Sequence, residues 1–173
     1  MKRWIALTPL AVLGTLGVLF ATFGLHHDPH FTPDALVGQP APAPTLPALD
    51  TTQPTALATA RAGQPVVIDF FASWCIPCLQ DAPALMAMKQ EGVRVIGIAY
   101  KDDPAASRDF LAAHGDPFAS VLVDRDGRTG VDFGVTGVPE AFVVSADGKV
   151  LAKHSGPMTP PDVEALLEKV QGR

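Results

Sequence analysis

The sequence predicts an α/β domain, with a mixed β-sheet flanked by helices, that follows an N-terminal transmembrane anchor. Two segments, residues 65–72 and 93–100, are strongly apolar, each with a single charged residue (Asp69 and Arg94), as expected for central strands that are buried on both faces. Predicted helices follow both segments, and a β-hairpin and one further helix end the chain. Residues 4–25 contain no charged residue, which is typical of a membrane-spanning helix.

The N-terminal apolar segment is long enough to span a bilayer, because about 20 helical residues cross the ~30 Å hydrocarbon core. Lys2 and Arg3 precede it, and positive charge at that end keeps the N-terminus in the cytoplasm. A cleaved signal peptide is the alternative, although its apolar region is usually only about 7–15 residues long. We therefore expect residues 1–25 to be a single-pass anchor in the inner membrane. The domain then lies in the periplasm or another extracytoplasmic space.

The composition indicates one globular domain. The chain has 173 residues, of which 47% are hydrophobic and 18% charged, and its formal net charge of −5 does not suggest nucleic-acid binding. Residues 26–44 are rich in proline and lack periodicity, so they predict a linker, and residues 45–173 form the domain. The linker contains His26, His27 and His30, which a solvated spacer explains better than a metal site, because nothing nearby completes a coordination shell.

The strands follow from short apolar runs and the turns between them. Strands are predicted over residues 45–50, 65–72, 93–100 and 118–124, and two more surround an Asp147-Gly148 turn within residues 140–156. Strands separated by helices pair in parallel, whereas hairpin strands pair antiparallel. The sheet is therefore mixed, with its parallel part first and its antiparallel part last.

The helices follow from their capping residues. A helix is predicted over residues 75–90, directly after the second strand. Asp103 and Thr159 are suitable N-caps for helices over residues 103–115 and 159–172.

The chain has only two cysteines, Cys75 and Cys78. A structural disulfide across so short a loop would add little stability, since the stabilisation grows with loop length. A zinc or copper site needs further ligands, and His114 and His154 are not spaced as partners. A redox-active pair explains more, because the dipole of a helix stabilises the thiolate of a cysteine at its start. Cys75 is then the attacking thiolate, and Cys78, more buried one turn later, is the resolving cysteine.

The segment VIDFFASWCIPC resembles the active-site segment of the thioredoxin fold. Asp69 lies where thioredoxins have a buried aspartate, and Trp74 directly precedes the first cysteine, as it does in them. Pro83 lies where their active-site helix kinks. The later segment GVTGVPEAF resembles their cis-proline loop, so the resemblance implies a cis peptide bond at Pro139, next to the disulfide.

The resemblance narrows to the CcmG/DsbE family, the membrane-anchored thioredoxin-like proteins of cytochrome c maturation, and it covers residues 36–171. The shared features are the anchor, LVGQPAPAPTLPAL, Trp-Cys-x-Pro-Cys, the long segment that begins YKDDPAASRDF, and Gly-Val-Pro-Glu. Position 69 differs, because that family more often has asparagine there. The resemblance implies that the catalytic residues are Cys75, Cys78, Asp69 and Glu140, and that the substrate-binding residues are Trp74, Ile76, Pro77, Val138 and Pro139.

The resemblance also implies the partners of this oxidoreductase. The expected substrate is the oxidised Cys-x-x-Cys-His of an apocytochrome c, or a heme-lyase thiol protein bound to it. The expected electron donor is a membrane protein of the CcdA/DsbD type. The resemblance implies no metal, and no cofactor beyond the disulfide of Cys75 and Cys78.

The residues around the cysteines favour reduction over oxidation of the substrate. Ile76 and Pro77, between the cysteines, add no positive charge that would stabilise the thiolate. If the predicted fold is correct, Asp69 and Glu140 approach the sulfurs, and negative charge raises a thiol pKa. The reduced form is then held less firmly, as in a reductant. Two alternatives remain: a less specific extracytoplasmic reductase of the TlpA or ResA kind, and a copper-binding module that uses the cysteines and a linker histidine.

Overall fold

The computed structural model describes residues 7–24 and 35–172. The chain divides into two units, Met1–Thr32 and Pro33–Arg173. The first unit contains the predicted anchor, and the second contains the predicted domain.

The N-terminal unit is helical where it is described. Helix α1 spans Thr8–Leu19, and a π-helical turn follows at Phe20–Gly24. The side chains described in this unit are exposed, and Leu10 and Leu13 are 73% and 70% exposed.

No membrane-spanning helix was found in the described part of the chain. Across residues 7–24 and 35–172, none of the helices combines the length and the apolar character needed to cross a bilayer. The predicted anchor also includes residues 1–6 and 25, which lie outside the described residues. The anchor over residues 1–25 therefore stays a prediction.

The second unit contains seven strands and five helices within its described residues. The strands are β1 (Thr45–Pro47), β2 (Pro54–Ala56), β3 (Val66–Phe71), β4 (Arg94–Tyr100), β5 (Ser120–Asp124), β6 (Glu140–Val144) and β7 (Val150–Ser155). The helices are α2 (Leu57–Arg61), α3 (Cys78–Gln90), α4 (Pro104–His114), α5 (Arg128–Asp132) and α6 (Pro160–Gln171).

The main sheet has five strands in the order β5-β4-β3-β6-β7, and β1 pairs with β2 in a separate antiparallel ribbon. β3, β4 and β5 are parallel. β6 runs antiparallel to β3, and β7 runs antiparallel to β6. The mixed sheet, with its parallel strands first in the chain, confirms the prediction.

Side chains of β3 alternate between two hydrophobic clusters, one on each face of the sheet. Val67 belongs to the first cluster, which α3, α4 and α6 cover and which includes Cys75 and Cys78. Phe70 belongs to the second cluster, which α2 covers together with Phe133 at the end of α5. The cysteines therefore lie on one defined face of the sheet.

The predicted caps and the predicted hairpin turn are confirmed. The side chain of Asp103 accepts a hydrogen bond from Ala105 N at 2.9 Å, at the start of α4. Thr159 and Asp162 form a reciprocal capping box at the start of α6. Gly148 has a φ of 91°, a left-handed conformation that glycine adopts without strain, in the turn before β7.

Several boundaries differ from the prediction. β1 ends at Pro47 instead of residue 50, and α3 begins at Cys78 instead of residue 75. β2, α2 and α5 were not predicted, because elements of three to five residues are too short to show a hydrophobic period. The first turn of α5 depends on Asp124, whose buried carboxylate accepts hydrogen bonds from two of its amides.

The segment before β1 packs on the domain. Gly38 N donates a hydrogen bond to Val150 O at 2.8 Å, and Ala41 N donates to Gly148 O at 2.8 Å. Residues 37–41 therefore belong to the folded unit, and the predicted domain start at residue 45 is too late. The earlier part of the predicted linker, residues 26–34, lies outside the described residues.

The opposite edge of the sheet is covered by the chain that follows β1. Leu49 N donates a hydrogen bond to Val121 O at 2.9 Å, and Ala48 forms an isolated bridge with Leu122. The outer strand β5 thus has main-chain partners on both sides.

Candidate active site

The cysteine pair lies in the loop between the carboxyl end of β3 and the first turn of α3. Cys75 and Cys78 form a disulfide, with their Cα atoms 5.4 Å apart. Cys75 is 3% exposed and Cys78 is 5% exposed. The expectation that Cys75 is the more exposed cysteine is therefore wrong for the disulfide form, and exposure does not identify the attacking sulfur.

The helix terminus does distinguish the two sulfurs. Because α3 begins at Cys78, the amide of Cys78 is one of its unpaired first-turn donors, and it donates a hydrogen bond to Cys75 Sγ at 3.1 Å. The helix dipole adds positive potential at the same place. A thiolate that forms at Cys75 on reduction is therefore stabilised, which is what an attacking cysteine requires.

The predicted substrate-binding residues differ in exposure, and Pro139 is buried. Trp74 and Ile76 are 58% and 75% exposed, and Pro77 is also exposed. Val138 packs against the hydrophobic cluster that contains both cysteines. The Val138–Pro139 peptide bond is cis, as predicted. Trp74, Ile76 and Pro77 therefore offer an exposed apolar surface next to the two cysteines in the chain.

Two buried carboxyl groups lie near Cys78. Asp69, on β3, lines a small cavity together with Cys78. Asp81 follows Cys78 by one turn of α3, and its Oδ1 accepts a hydrogen bond from Met158 N at 2.7 Å. Both residues are 1% exposed. Asp69 Oδ1 and Asp81 Oδ2 have no hydrogen-bond partner among the described residues, so each carboxyl group has an oxygen that can take up a proton.

Burial is the main cause of the raised pKa of both carboxyl groups. The pKa of Asp69 is raised well above its usual value, first by burial and then by the neighbouring charge of Asp81. Burial also raises the pKa of Asp81, against the opposing effects of the Met158 amide and of His154. A carboxylate with a raised pKa is a stronger base. Asp69 therefore suits the predicted role of accepting the proton of Cys78.

Glu140 differs from its prediction. Its Oε2 lies 3.0 Å from Lys153 Nζ, and these side chains are only 2% and 3% exposed. Its Oε1 accepts hydrogen bonds from Thr136 N and Thr136 Oγ1 at 3.1 and 2.6 Å. By strand alternation Glu140 points to the face of Phe142, opposite the cysteine cluster. The structure thus places Glu140 on the face opposite the cysteine cluster, in contact with Lys153 and Thr136, and its predicted effect on the Cys75 thiolate stays a prediction.

The ion pair of Glu140 holds the loop that precedes Pro139. Lys153 Nζ donates a hydrogen bond to Gly134 O at 3.0 Å, and Glu140 binds Thr136 in the same loop. The pair thus fixes both ends of the segment that leads to the cis peptide bond.

Comparison with known proteins identifies the family. The chain matches the Redoxin family model over residues 36–167. It is 40% identical to the thiol:disulfide interchange protein HelX of Rhodobacter capsulatus over 133 residues, which cover 77% of this chain and 76% of that protein. It is 38% identical to the thiol:disulfide interchange protein DsbE of Allochromatium vinosum over 167 residues, which cover 96% and 90% of the two chains. The chain belongs to the CcmG/DsbE family.

Solved structures agree with this assignment of the DsbE-family chain. A crystal structure from Chlorobium tepidum, named as a thiol:disulfide interchange protein DsbE, is 33% identical with a TM-score of 0.65, and the match covers 77% of this chain and 94% of that one. A secreted Mycobacterium tuberculosis disulfide oxidoreductase homologous to Escherichia coli DsbE is 27% identical with a TM-score of 0.61, covering 75% and 95%. The DsbE-family chain is thus a thioredoxin-like protein thiol:disulfide oxidoreductase.

Asp81 and Lys153 were not among the predicted site residues. The spacing of Asp81 from Cys78 was a usable signal, since residues three apart share one face of a helix. Lys153 gave no such signal, because a lysine in a hairpin strand usually faces solvent. Its burial accompanies its ion pair with Glu140 on the adjacent strand β6, where Phe142 is the residue directly opposite Lys153.

The described residues give no support to the copper-binding alternative. Both cysteines are joined in the disulfide. Within residues 7–24 and 35–172, no group of three or more His, Cys, Asp or Glu side chains is arranged to hold a metal ion. The linker histidines, His26, His27 and His30, lie outside these residues.

Asp69→Asn should increase the free energy of unfolding of the oxidised DsbE-family chain at neutral pH. Because burial raises the pKa of Asp69, the folded protein holds a proton that the unfolded chain releases above about pH 4. Folding therefore becomes less favourable as the pH rises through this range, and the variant removes that loss. Urea unfolding from pH 4 to pH 8 should show a difference that grows with pH.

Asp147→Asn is the matched control, with the opposite sign. A hydrogen bond from Ser145 is the main cause of the lowered pKa of Asp147. This variant should therefore lower the free energy of unfolding at neutral pH, with the difference lost in acid. A pH-independent effect of Asp69→Asn would contradict the assignment.

Lys153→Met should destabilise the DsbE-family chain by about 3–5 kcal/mol, because it leaves the buried Glu140 carboxylate without its partner. Lys149→Met is the control: Lys149 Nζ lies 3.8 Å from Asp147 Oδ2 in an exposed pair, where about 0–1 kcal/mol is expected. The check is urea unfolding of both variants. Equal losses would show that the buried pair has no special weight.

Proposed function

We propose that the chain is a membrane-anchored, extracytoplasmic reductase of the Cys-x-x-Cys-His disulfide of an apocytochrome c, or of a heme-lyase thiol protein bound to it. The resemblance to the CcmG/DsbE family supports the substrate. The direction of electron flow rests on one observation: the resolving cysteine lies beside two buried carboxyl groups, those of Asp69 and Asp81.

A reductant must hold its dithiol less firmly than its disulfide. Cys78 is buried and shares a cavity with Asp69, and Asp81 lies one turn further along α3. Burial and neighbouring carboxylates both disfavour a thiolate at that sulfur. The residues between the cysteines, Ile76 and Pro77, are uncharged. Cys75 Sγ accepts a hydrogen bond from the amide of Cys78, a contact that favours the Cys75 thiolate and leaves Cys78 itself unaided.

The proposed reaction is a two-electron exchange. The Cys75 thiolate attacks one sulfur of the substrate disulfide, and the other substrate sulfur leaves and takes a proton. Cys78 then gives its proton to Asp69 and attacks Cys75 Sγ, which releases the second substrate sulfur as a thiolate. The substrate gains two electrons, and the protein is left with the Cys75–Cys78 disulfide.

Substrate docking uses the apolar surface around the disulfide. Trp74, Ile76 and Pro77 present exposed apolar side chains on one side of the sulfurs. On the other side, the backbone at Val138 binds the substrate as an added extended strand, a mode in which main-chain hydrogen bonds provide affinity.

The membrane location is supported by the uncharged run of residues 4–25, behind Lys2 and Arg3. Apolar side chains of α1, including Leu10 and Leu13, are exposed, as lipid-facing residues are. Cytoplasmic reductants cannot reach a domain outside the cytoplasm, so a membrane protein of the CcdA/DsbD type regenerates the dithiol.

The sharpest test of the substrate uses trapping. The full-length Cys78→Ser variant should accumulate a mixed disulfide through Cys75 with an oxidised apocytochrome peptide that contains Cys-x-x-Cys-His, because the resolving step is removed. It should react at least about tenfold faster than with a shuffled disulfide peptide of equal length. The rate of adduct formation is measured by mass spectrometry. Cys75→Ser is the control, and it should trap neither peptide. Equal rates for both peptides would favour a general reductase of the TlpA or ResA kind.

The topology is tested separately. In intact spheroplasts, Cys75 should react with a membrane-impermeant maleimide after mild reduction, and the intact chain should remain in the membrane fraction after a high-salt wash. The variant that lacks both Cys75 and Cys78 controls for labelling elsewhere. Recovery of a shortened, soluble protein would overturn the anchor.

A further inference from the structure

We propose that Asp102 is a positioning residue that fixes Trp74, and with it the substrate-docking surface, relative to Cys75. Its carboxylate is 5% exposed and accepts four hydrogen bonds. The donors are Ser73 N at 2.7 Å, Ser73 Oγ at 2.8 Å, Asp103 N at 2.9 Å and Ser107 Oγ at 2.7 Å. The proposal rests on the thiol:disulfide activity and not on the identity of the substrate.

The parallel pairing of β3 and β4 brings these residues together. Phe71 pairs with Ala99, so the two strands end at the same edge of the sheet. Ser73 follows the end of β3 and Asp102 follows the end of β4. The carboxylate therefore ties the loop that carries the cysteines to the start of α4.

Lys101 adds a second contact to the same loop. Its carbonyl oxygen accepts a hydrogen bond from Trp74 Nε1 at 3.4 Å. Its φ of 48° lies in the left-handed region, which is uncommon for a residue other than glycine. Lys101 N donates a hydrogen bond to Asp124 O at 2.9 Å. The next residue, Asp102, accepts the four hydrogen bonds described above, so the backbone at Lys101 is held on both sides. Backbone conformations of this kind persist where the surroundings over-determine them, often at functional sites.

The contacts that hold Cys75 and those that hold Trp74 have different origins. Cys75 Sγ is held by the amide of Cys78, which belongs to α3 and does not depend on Asp102. Trp74 is 58% exposed and is fixed through its neighbour Ser73 and through Lys101. Loss of the Asp102 contacts should thus loosen the docking surface while leaving the intrinsic reactivity of the thiolate.

Only a carboxylate satisfies all four donors. Oδ1 receives the amide of Asp103 and the hydroxyl of Ser73, whereas Oδ2 receives the amide of Ser73 and the hydroxyl of Ser107. In Asp102→Asn, the side-chain NH₂ group must replace one of these oxygens. It then faces a backbone N–H, which cannot accept a hydrogen bond. A nearly isosteric change therefore breaks the arrangement.

The experiment compares full-length Asp102→Asn with Ser107→Ala, which removes one hydroxyl donor of the same carboxylate but neither bond to Ser73. Reduction rates are measured with a protein disulfide and with glutathione disulfide. Asp102→Asn should slow the protein substrate by about five- to tenfold, as partial loss of an aromatic anchor would, and change the small one less than about twofold. Ser107→Ala should leave both rates unchanged.

A spectroscopic readout separates positioning from general destabilisation. In a Trp4→Phe background Trp74 is the only tryptophan. Acrylamide quenching of its fluorescence should increase in Asp102→Asn and not in Ser107→Ala. If Asp102→Asn does not fold, Ser73→Ala is used instead, because it removes one of the two hydrogen bonds from Ser73 to the carboxylate. The same rates and the same quenching measurement then apply to Ser73→Ala. Equal slowing of both substrates, or unchanged quenching, would overturn the proposal. Because each rate is compared with the parent chain, failure here is distinct from failure of the proposed substrate.

Discussion

The parallel pairing of β3 with β4, and the antiparallel pairing of β3 with β6, is the constraint on which the site depends. The cysteine loop leaves the carboxyl end of β3. Its supporting carboxylate comes from the end of β4, and the cis-proline loop enters at the start of β6. These three segments meet at one edge of the sheet because the register of hydrogen-bonded strands fixes where the adjoining loops begin. A slip of one residue in β3 would send Asp69 to the opposite face from Cys78.

The two faces of the sheet separate two kinds of buried acid. Asp69 and Asp81 lie in the cysteine face, and each has an oxygen without a hydrogen-bond partner among the described residues. Glu140 lies in the other face, where its Oε1 accepts hydrogen bonds from Thr136 and its Oε2 lies 3.0 Å from Lys153 Nζ. Similar residue types therefore serve different purposes, and the alternation of a strand decides which.

Much of the fold was predictable because its elements carry strong local signals. The apolar runs gave β3 and β4, and the caps at Asp103 and Thr159 gave the starts of α4 and α6. The redox-active pair followed from the Cys-x-x-Cys spacing at the start of a predicted helix, and the cis peptide bond at Pro139 came from the resemblance to thioredoxins. The surroundings of Glu140 were not predictable, because its burial depends on Lys153, which approaches only when β7 pairs with β6. The same holds for residues 37–41, whose hydrogen bonds go to β7 from a proline-rich segment without a strand pattern.

Irregular chain pairs with part of each outer strand of the main sheet. Residues 37–41 bond to the start of β7 and to the turn before it, and Ala48 and Leu49 pair with Leu122 and Val121 of β5. Exposed strand edges are templates on which an unfolded polypeptide can add and aggregate. Where irregular chain already pairs with these edges, another polypeptide cannot add a strand, so the covered parts of the domain offer no template for aggregation.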